Sequence, residues 1–316
     1  MNDERLSELF INEISLLQGS NRISKINKGY SYDQKFIVEK DNQTYLLRSF
    51  ALNELSAKQA EFAAIRQMQN YDVLCSKPIE MGSLPNSNIG YMLLTYIDGD
   101  EATDILPAYS PSIQQAIGLE AGRELAKMHK LLAPAAIAPW HERKLAKHKR
   151  YIEQYLNGDA RLKGDTAFLA FIDRHLHLME GRPNVFQHDD FHVGNLIVKN
   201  GKLAGVIDFN RLDWGDPVHE FLKAGMFSSE VSIPFTIGQI KGYHVGQEPD
   251  EQFWTLYSLY LAMTIVSSIV WILQVRPSEL GIMTQKLERV LEDHDHFNNI
   301  IPRWYLEERS YETGSL

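Results

Sequence analysis

"HDDFHVGNLIVKNGKLAGVIDF", residues 188–209, sets a polar loop against two apolar runs joined by Asn200 and Gly201. An Asn-Gly pair between apolar runs is the strongest short hairpin signal, because a type I′ turn needs positive φ at both central positions. A two-residue turn there pairs Lys199 with Lys202 and sets Asn195 opposite Val206, with Asp208 two residues further on. Asn195 and Asp208 thus emerge at one open end of the hairpin. Asp190 stands on the loop that enters it, five residues before Asn195. Three oxygen-bearing side chains are brought together from separated places in the chain.

Two chemistries compete for this loop. His188, Asp190 and His192 alternate in a way that would hold a transition metal in a metal-dependent hydrolase, given further ligands such as "HDH" at 294–296. Alternatively, Asn195 and Asp208 are hard oxygen ligands of the kind that suit Mg²⁺, which keeps several waters and shares its coordination with substrate phosphates. Asp190 is then left to orient a hydroxyl and accept its proton. An Asp on a loop, an Asn five residues later and an Asp on the next strand form the kinase constellation.

The rest of the chain is compatible with an enzyme of two lobes. It has 316 residues, 44% hydrophobic and 23% charged, with no low-complexity run. The net charge of −9, with no Lys/Arg cluster interleaved with aromatics, speaks against nucleic acid as a partner. The single cysteine, Cys75, excludes an intrachain disulfide and a cysteine zinc site, and reads as a buried apolar thiol. "MNDERLSELFINEI" opens on acids where a secretory signal needs a basic start, so a cytoplasmic protein is expected. "FWTLYSLYLAMTIVSSIVWILQV" (253–275) is long enough to span a bilayer. Its Ser, Thr and Gln residues and the lack of a flanking basic cluster favour a buried helix, with no membrane as partner.

Segments 22–31, 34–40 and 44–50 read as antiparallel strands, "KDNQ" supplying a turn, and 53–70 as a helix with Asn53 as its cap. "IGYMLLTYI" (89–97) is a further strand, after which the patterns become helical, beginning at Ser110-Pro111. The composition shift gives an N-terminal lobe over 1–96, a hinge over 97–103 and a helical C-terminal lobe over 104–316.

His188, Asp190 and Asn195, with "IDF" at 207–209 and "WGDP" at 214–217, resemble the aminoglycoside phosphotransferase family of the protein-kinase-like fold. That resemblance implies an α+β, bilobal protein-kinase-like fold with an N-terminal antiparallel sheet and helix and a larger, mainly helical C-terminal lobe. It implies a small-molecule kinase using ATP, or GTP, with Asp190 as catalytic base and Asn195 and Asp208 on Mg²⁺. Arg48 takes the place of the phosphate-binding strand residue, Glu61 is its expected helix partner in preference to Glu54, and "NKGYSYD" (27–33) covers the phosphates through Gly29 and Ser31. The Thr95 carbonyl and Ile97 amide stand where adenine is held. His188 and Asp216 become structural residues near the site, and His192 a packing residue of the loop. Family members commonly carry Gly where Asp189 stands, so the local charge differs here.

Between Asp208 and Pro217 there is too little chain for a phosphorylatable activation loop, and no "APE" follows, which fits a small-molecule alcohol as acceptor. An aminoglycoside would find acids in Asp213, Glu292 and Asp293, whereas Tyr257, Tyr260 and Trp271 suggest a macrolide pocket or simple core packing. Choline, homoserine or a sugar are further acceptors open to this fold. A nucleotide-binding pseudokinase is the non-catalytic alternative.

Overall fold

The computed structural model describes residues 3–27, 33–85 and 87–307. Gly29 and Ser31 lie outside them. The chain forms two compact units, one of residues 1–99 with 204–212, the other of residues 100–203 and 213–316.

The first unit runs α1 (Asp3–Glu13), β1 (Arg22–Ile26), β2 (Gln34–Lys40), β3 (Gln43–Ala51), α2 (Leu55–Met68), β4 (Pro78–Ser83) and β5 (Ile89–Thr95). Its strands make one antiparallel sheet in the order β1-β2-β3-β5-β4. Asp41 and Asn42, both at positive φ, close the β2–β3 turn with Lys40 opposite Gln43. Phe36 and Val38 alternate onto one sheet face and meet Phe10, Ile14 and Leu17, all fully buried. Helix α2 begins two residues later than expected, and its N-cap is Glu54 rather than Asn53. The segment Ala204–Leu212 joins this unit because Val206 N donates to Leu74 O (2.7 Å) and pairs in parallel with Cys75. Asp208 therefore belongs with the sheet, where a contiguous division of the chain would assign it to the helical part. Cys75 is half-buried rather than enclosed, its Sγ accepting from Gln69 Nε2 at 3.4 Å.

The second unit contains β6 (Asp100–Glu101), α3 (Ala102–Ile105), α4 (Pro111–Met128), α5 (Trp140–Asn157), α6 (Asp165–His175), β7 (Val185–Gln187) and β8 (Leu196–Lys199). From β8, a turn at Asn200 and Gly201, with φ of 52° and 71°, leads into β9 (Lys202–Val206), on which the chain passes to the first unit. It returns with β10 (Asp213–Gly215), α7 (Ser229–Val231), α8 (Ile233–Tyr243), α9 (Glu251–Val275) and α10 (Leu280–Asp293).

Helix α9 is the apolar segment long enough to cross a membrane, but 72% of its most apolar window is buried inside the protein. Thr255 and Thr264 return their hydroxyls to carbonyls four residues back, and Ser258 donates to Ile300 O, so these three hydroxyls are satisfied within the protein.

Helices α4 and α8 touch backbone to backbone. A Cβ on Gly118 would stand 2.1 Å from Phe235 O, and one on Gly122 2.0 Å from Gln239 O; Gly238 and Gly242 face α4 as closely. Both helices thus present glycines four residues apart, and rigid carbonyls leave no room to adjust. Gly122→Ala is expected to cost about 3 kcal/mol, read as a lowered denaturation midpoint. Gly281→Ala on α10, where a Cβ meets nothing within 4 Å, should leave stability equal or raise it by up to about 1 kcal/mol.

Candidate active site

In the second unit the loop from His188 to Asn195 starts from a strand pair, β7 with β10, in which Gln187 faces Asp213 and Val185 faces Gly215. His188 is fully buried, edge-on to Phe191. Glu220 then clamps the loop: Asp189 N donates to its Oε2 (3.2 Å) and Phe191 N to its Oε1 (3.3 Å), fixing the backbone on either side of Asp190. Asn195 Nδ2 donates to the Asp190 carbonyl (2.8 Å) and to Oδ2 of its carboxylate (3.2 Å). Its amide oxygen is the atom left for a cation. Lys223 Nζ lies 2.8 Å from Asp190 Oδ1, and His192 Nε2 3.7 Å from the same oxygen. Burial opposes the charge on Asp190, but His192 and Lys223 outweigh it and hold the carboxyl far below the usual carboxylate range.

Lys223 leads into a π-helical turn, Ala224–Ser228. Such turns widen a helix by one residue and recur at functional sites. Carbonyls of the turn accept from Arg289 Nη2, Gly225 O at 2.9 Å and Met226 O at 3.2 Å, and Ser228 Oγ accepts from Val193 N in the catalytic loop at 3.3 Å. The turn is therefore tied both to α10 and to the loop that carries Asp190.

Asp216 supports this arrangement from within the core. Fully buried, it accepts from Arg182 through both oxygens (2.7 and 3.0 Å), from Tyr260 Oη (2.7 Å) and from Val218 N (3.1 Å). Asp189 has φ of 56°, a conformation that glycine adopts freely and a side chain makes less common. Its carboxylate lies 3.8 Å from His219 Nδ1, whose Nε2 is 2.7 Å from Lys144 Nζ. Burial, with Asp189 adding to it, pushes the Glu220 carboxyl up to about 8. A carboxyl raised on folding binds its proton more tightly in the native state. Glu220 should therefore make stability fall as pH rises from the unfolded carboxylate range through about 8. A chemical-denaturation series across that window should show a shallower decline in Asp189→Gly, which removes the adjacent charge.

In the first unit Arg48 on β3 pairs with Glu61 on α2 as expected, yet it is enclosed more completely than a phosphate receptor would be. Its Nε and Nη2 donate to Asp33, its Nη1 to Glu61, and Lys58 Nζ donates to Asp33 at 2.7 Å. All four side chains are buried, so the donors assigned to nucleotide phosphates are held by two carboxylates. Asp33 and Lys58 escaped sequence reasoning because nothing local marks a buried acid 15 residues before the arginine it binds.

Asp208, at φ 66°, keeps Oδ1 buried without a hydrogen-bond partner, and Oδ2 lies 4.0 Å from Lys35 Nζ. An orphaned, buried carboxylate oxygen fits a metal ligand. Thr95 ends β5, its Oγ1 accepting from Lys77 N (2.8 Å), and Ile97 follows with its side chain against Gly205.

The acids assigned to an acceptor are already engaged. Asp213 binds Arg143 (3.0 Å) and Asp293 binds Arg289 (2.9 Å), while Glu292 is exposed on α10. The three do not form a shared receptor: Asp213 and Asp293 are each satisfied by a cation of their own. Tyr257 and Tyr260 are fully buried core residues, and Trp271 is exposed, so no macrolide pocket is formed by them. His294 is buried and bonded to Asn299 O (3.0 Å), and among the described residues no group of three or more His, Cys, Asp or Glu is placed to hold a metal.

No curated protein sequence matches the chain closely enough to count as a relative. Solved structures do match. The gentamicin complex of APH(2")-IIa is similar at TM-score 0.62 and 15% identity, covering 92% of this chain and 97% of that one. A GDP complex of a mutant aminoglycoside 2'-phosphotransferase-IIIa reaches TM-score 0.70 at 12% identity, covering 94% and 100%. APH(4)-Ia with AMP-PNP and hygromycin B reaches 0.64 at 12%, covering 90% and 97%. These likenesses give the kinase-like fold. A family model described as "Phosphotransferase enzyme family" matches residues 22–257. With that match running from β1 to α9 through the loop that Glu220 clamps, the chain belongs to the aminoglycoside phosphotransferase family of small-molecule phosphotransferases.

Proposed function

We propose that the protein transfers the γ-phosphoryl group of ATP to a hydroxyl of a small molecule. The observation that carries this reading is the Asp190 carboxylate, kept ionised by Lys223 and fixed by Asn195 and by the Glu220 clamp on its neighbours. The acceptor hydroxyl donates a hydrogen bond to Asp190, its oxygen bonds to phosphorus in line as the bond to the ADP oxygen breaks, and its proton passes to Asp190. A loose phosphoryl transition state asks mainly for positioning and charge neutralisation, which suits a carboxylate this hard to protonate.

Each unit offers a candidate Mg²⁺ ligand, the Asn195 amide oxygen in one and the unpartnered Asp208 Oδ1 in the other. When bound, the ion neutralises phosphate charge. The GDP complex among the similar structures makes GTP a second donor to try. A nucleoside triphosphate donor is the support for a cytoplasmic location, which belongs to the same proposal. Gentamicin and hygromycin B, bound by similar structures, make aminoglycosides the reference acceptors.

The test is ADP release by purified protein with Mg²⁺ across aminoglycosides, macrolides and metabolite alcohols. Acceptor-dependent release that disappears in Asp190→Asn supports the reading. Nucleotide binding with no turnover on any acceptor would make the protein a pseudokinase, and turnover of a substrate without nucleotide would make it a hydrolase.

A further inference from the structure

We propose that the acceptor is an alcohol carrying an anionic group, a carboxylate or a phosphate, close to the reacting hydroxyl, and that Lys223 receives that group. The inference rests on the phosphotransferase reading and narrows its acceptor.

Lys223 Nζ is 2.8 Å from Asp190 Oδ1. A hydroxyl hydrogen-bonded to Asp190 Oδ1 comes within about 6 Å of that ammonium, inside the screening length of physiological salt, which is about 8 Å. The substituents of the carbon bearing the hydroxyl therefore meet a cation first. A receptor for polyamines would present carboxylates open to ammonium groups. Here Asp190 is neutralised by Lys223, Asp213 by Arg143, Asp293 by Arg289, and Glu230 by Lys286 and Arg289. Asp189 faces His219 and, behind it, Lys144.

The cation side is reinforced. Lys223 lies over the Phe227 ring at 5.4 Å and Lys286 over the same ring at 4.8 Å, with the His192 ring 5.0 Å away. The Phe227 ring thus holds the Lys223 ammonium beside the catalytic loop, while Lys286 at the same ring is paired with Glu230. Lys147, exposed on α5, adds positive charge to the surroundings of His219. The π-helical turn fixes the lysine: its carbonyls are held by Arg289, so Lys223 is presented from a rigid element. Asp190 takes one of the three N–H groups of Lys223, and an oxyanion on the carbon next to the hydroxyl meets the other two, which favours it over a neutral group, and disfavours an ammonium, by on the order of 10-fold.

The experiment compares matched three-carbon alcohols, glycerol, glycerate and glycerol phosphate, with gentamicin as the polycation. It measures kcat/KM by ADP release for wild type, Lys223→Arg and Lys223→Glu. Wild type is expected to prefer one or both anionic alcohols over glycerol by at least about tenfold, the two arms separating carboxylate from phosphate recognition. Lys223→Arg should keep that order, and Lys223→Glu should erase or invert it. Glycerol or gentamicin turned over as well as the acids by wild type would overturn the proposal while leaving the phosphotransferase reading intact. No stimulation by any alcohol, in these or in the wider screen, would remove both. The wild-type comparison stands even where a variant fails to fold.

Discussion

Asp190→Ala is expected to lower turnover by about 10³-fold, within the 10²- to 10⁴-fold range of a positioned acid–base group, while KM for ATP changes only a few-fold. The reason lies in what the substitution leaves behind. Glu220 binds the backbone of residues 189 and 191, and Asn195 binds the carbonyl of residue 190, none of which involves the lost carboxylate. The loop keeps its path, so the loss falls on kcat through hydroxyl orientation. Glu220 is the control for that logic: removing its carboxylate strands two backbone donors and should disturb loop and stability together. Near wild-type turnover in Asp190→Ala would remove the catalytic assignment altogether.

Glu61→Ala should destabilise the protein by about 3–5 kcal/mol, the usual cost of removing one partner from a buried ion pair. The Arg48–Glu61–Asp33–Lys58 quartet has two charges of each sign, all buried, so every deletion leaves a net charge without water. The thermal midpoint should drop by on the order of 10 °C. Arg48→Lys keeps the charge and gives up the fork that reaches both carboxylates, and should fall between wild type and Glu61→Ala. Burial works to raise the Asp33 carboxyl, but Arg48 and Lys58 together bring it below its ordinary value. Its stabilising contribution is therefore present above the unfolded carboxylate pKa and fades as pH falls through the lower, folded one. An Arg48 variant that lost nucleotide affinity at unchanged stability would instead return Arg48 to the phosphates.

Local chemistry made much of the fold legible. The Asn200-Gly201 turn has the positive φ values its sequence requires, and the turn residues Asp41 and Asn42 behave alike. The 253–275 segment could be read as a buried helix because its Ser, Thr and Gln residues dilute its hydrophobicity and no basic cluster flanks it. Strand β4 escaped notice because "PIEMGS" has neither alternation nor β-branched density, and only pairing with β5 makes it a strand. Asp190, Asn195 and Asp208 stand out by spacing. Glu220, Lys223, Asp33 and Lys58 do not, since each acts on a partner 15 to 33 residues away, and their meaning exists only once the chain has folded back. The acids on α10 show a related limit of sequence: composition counts charges without counting their partners, and Asp293 is paired with Arg289.

The π-helical turn at Ala224–Ser228 gives the site a sensitivity to chain length as well as to residue type. Removing Ala224 from it would return the segment to ordinary α-helical spacing, rotating the chain on its N-terminal side by about 100° against the chain on its C-terminal side. Ser228 and the anchored half would stay, and Lys223 would swing away from Asp190 with every side chain of the site still encoded. A one-codon deletion is thus a route by which this chain could lose the Lys223–Asp190 pair without altering the catalytic loop.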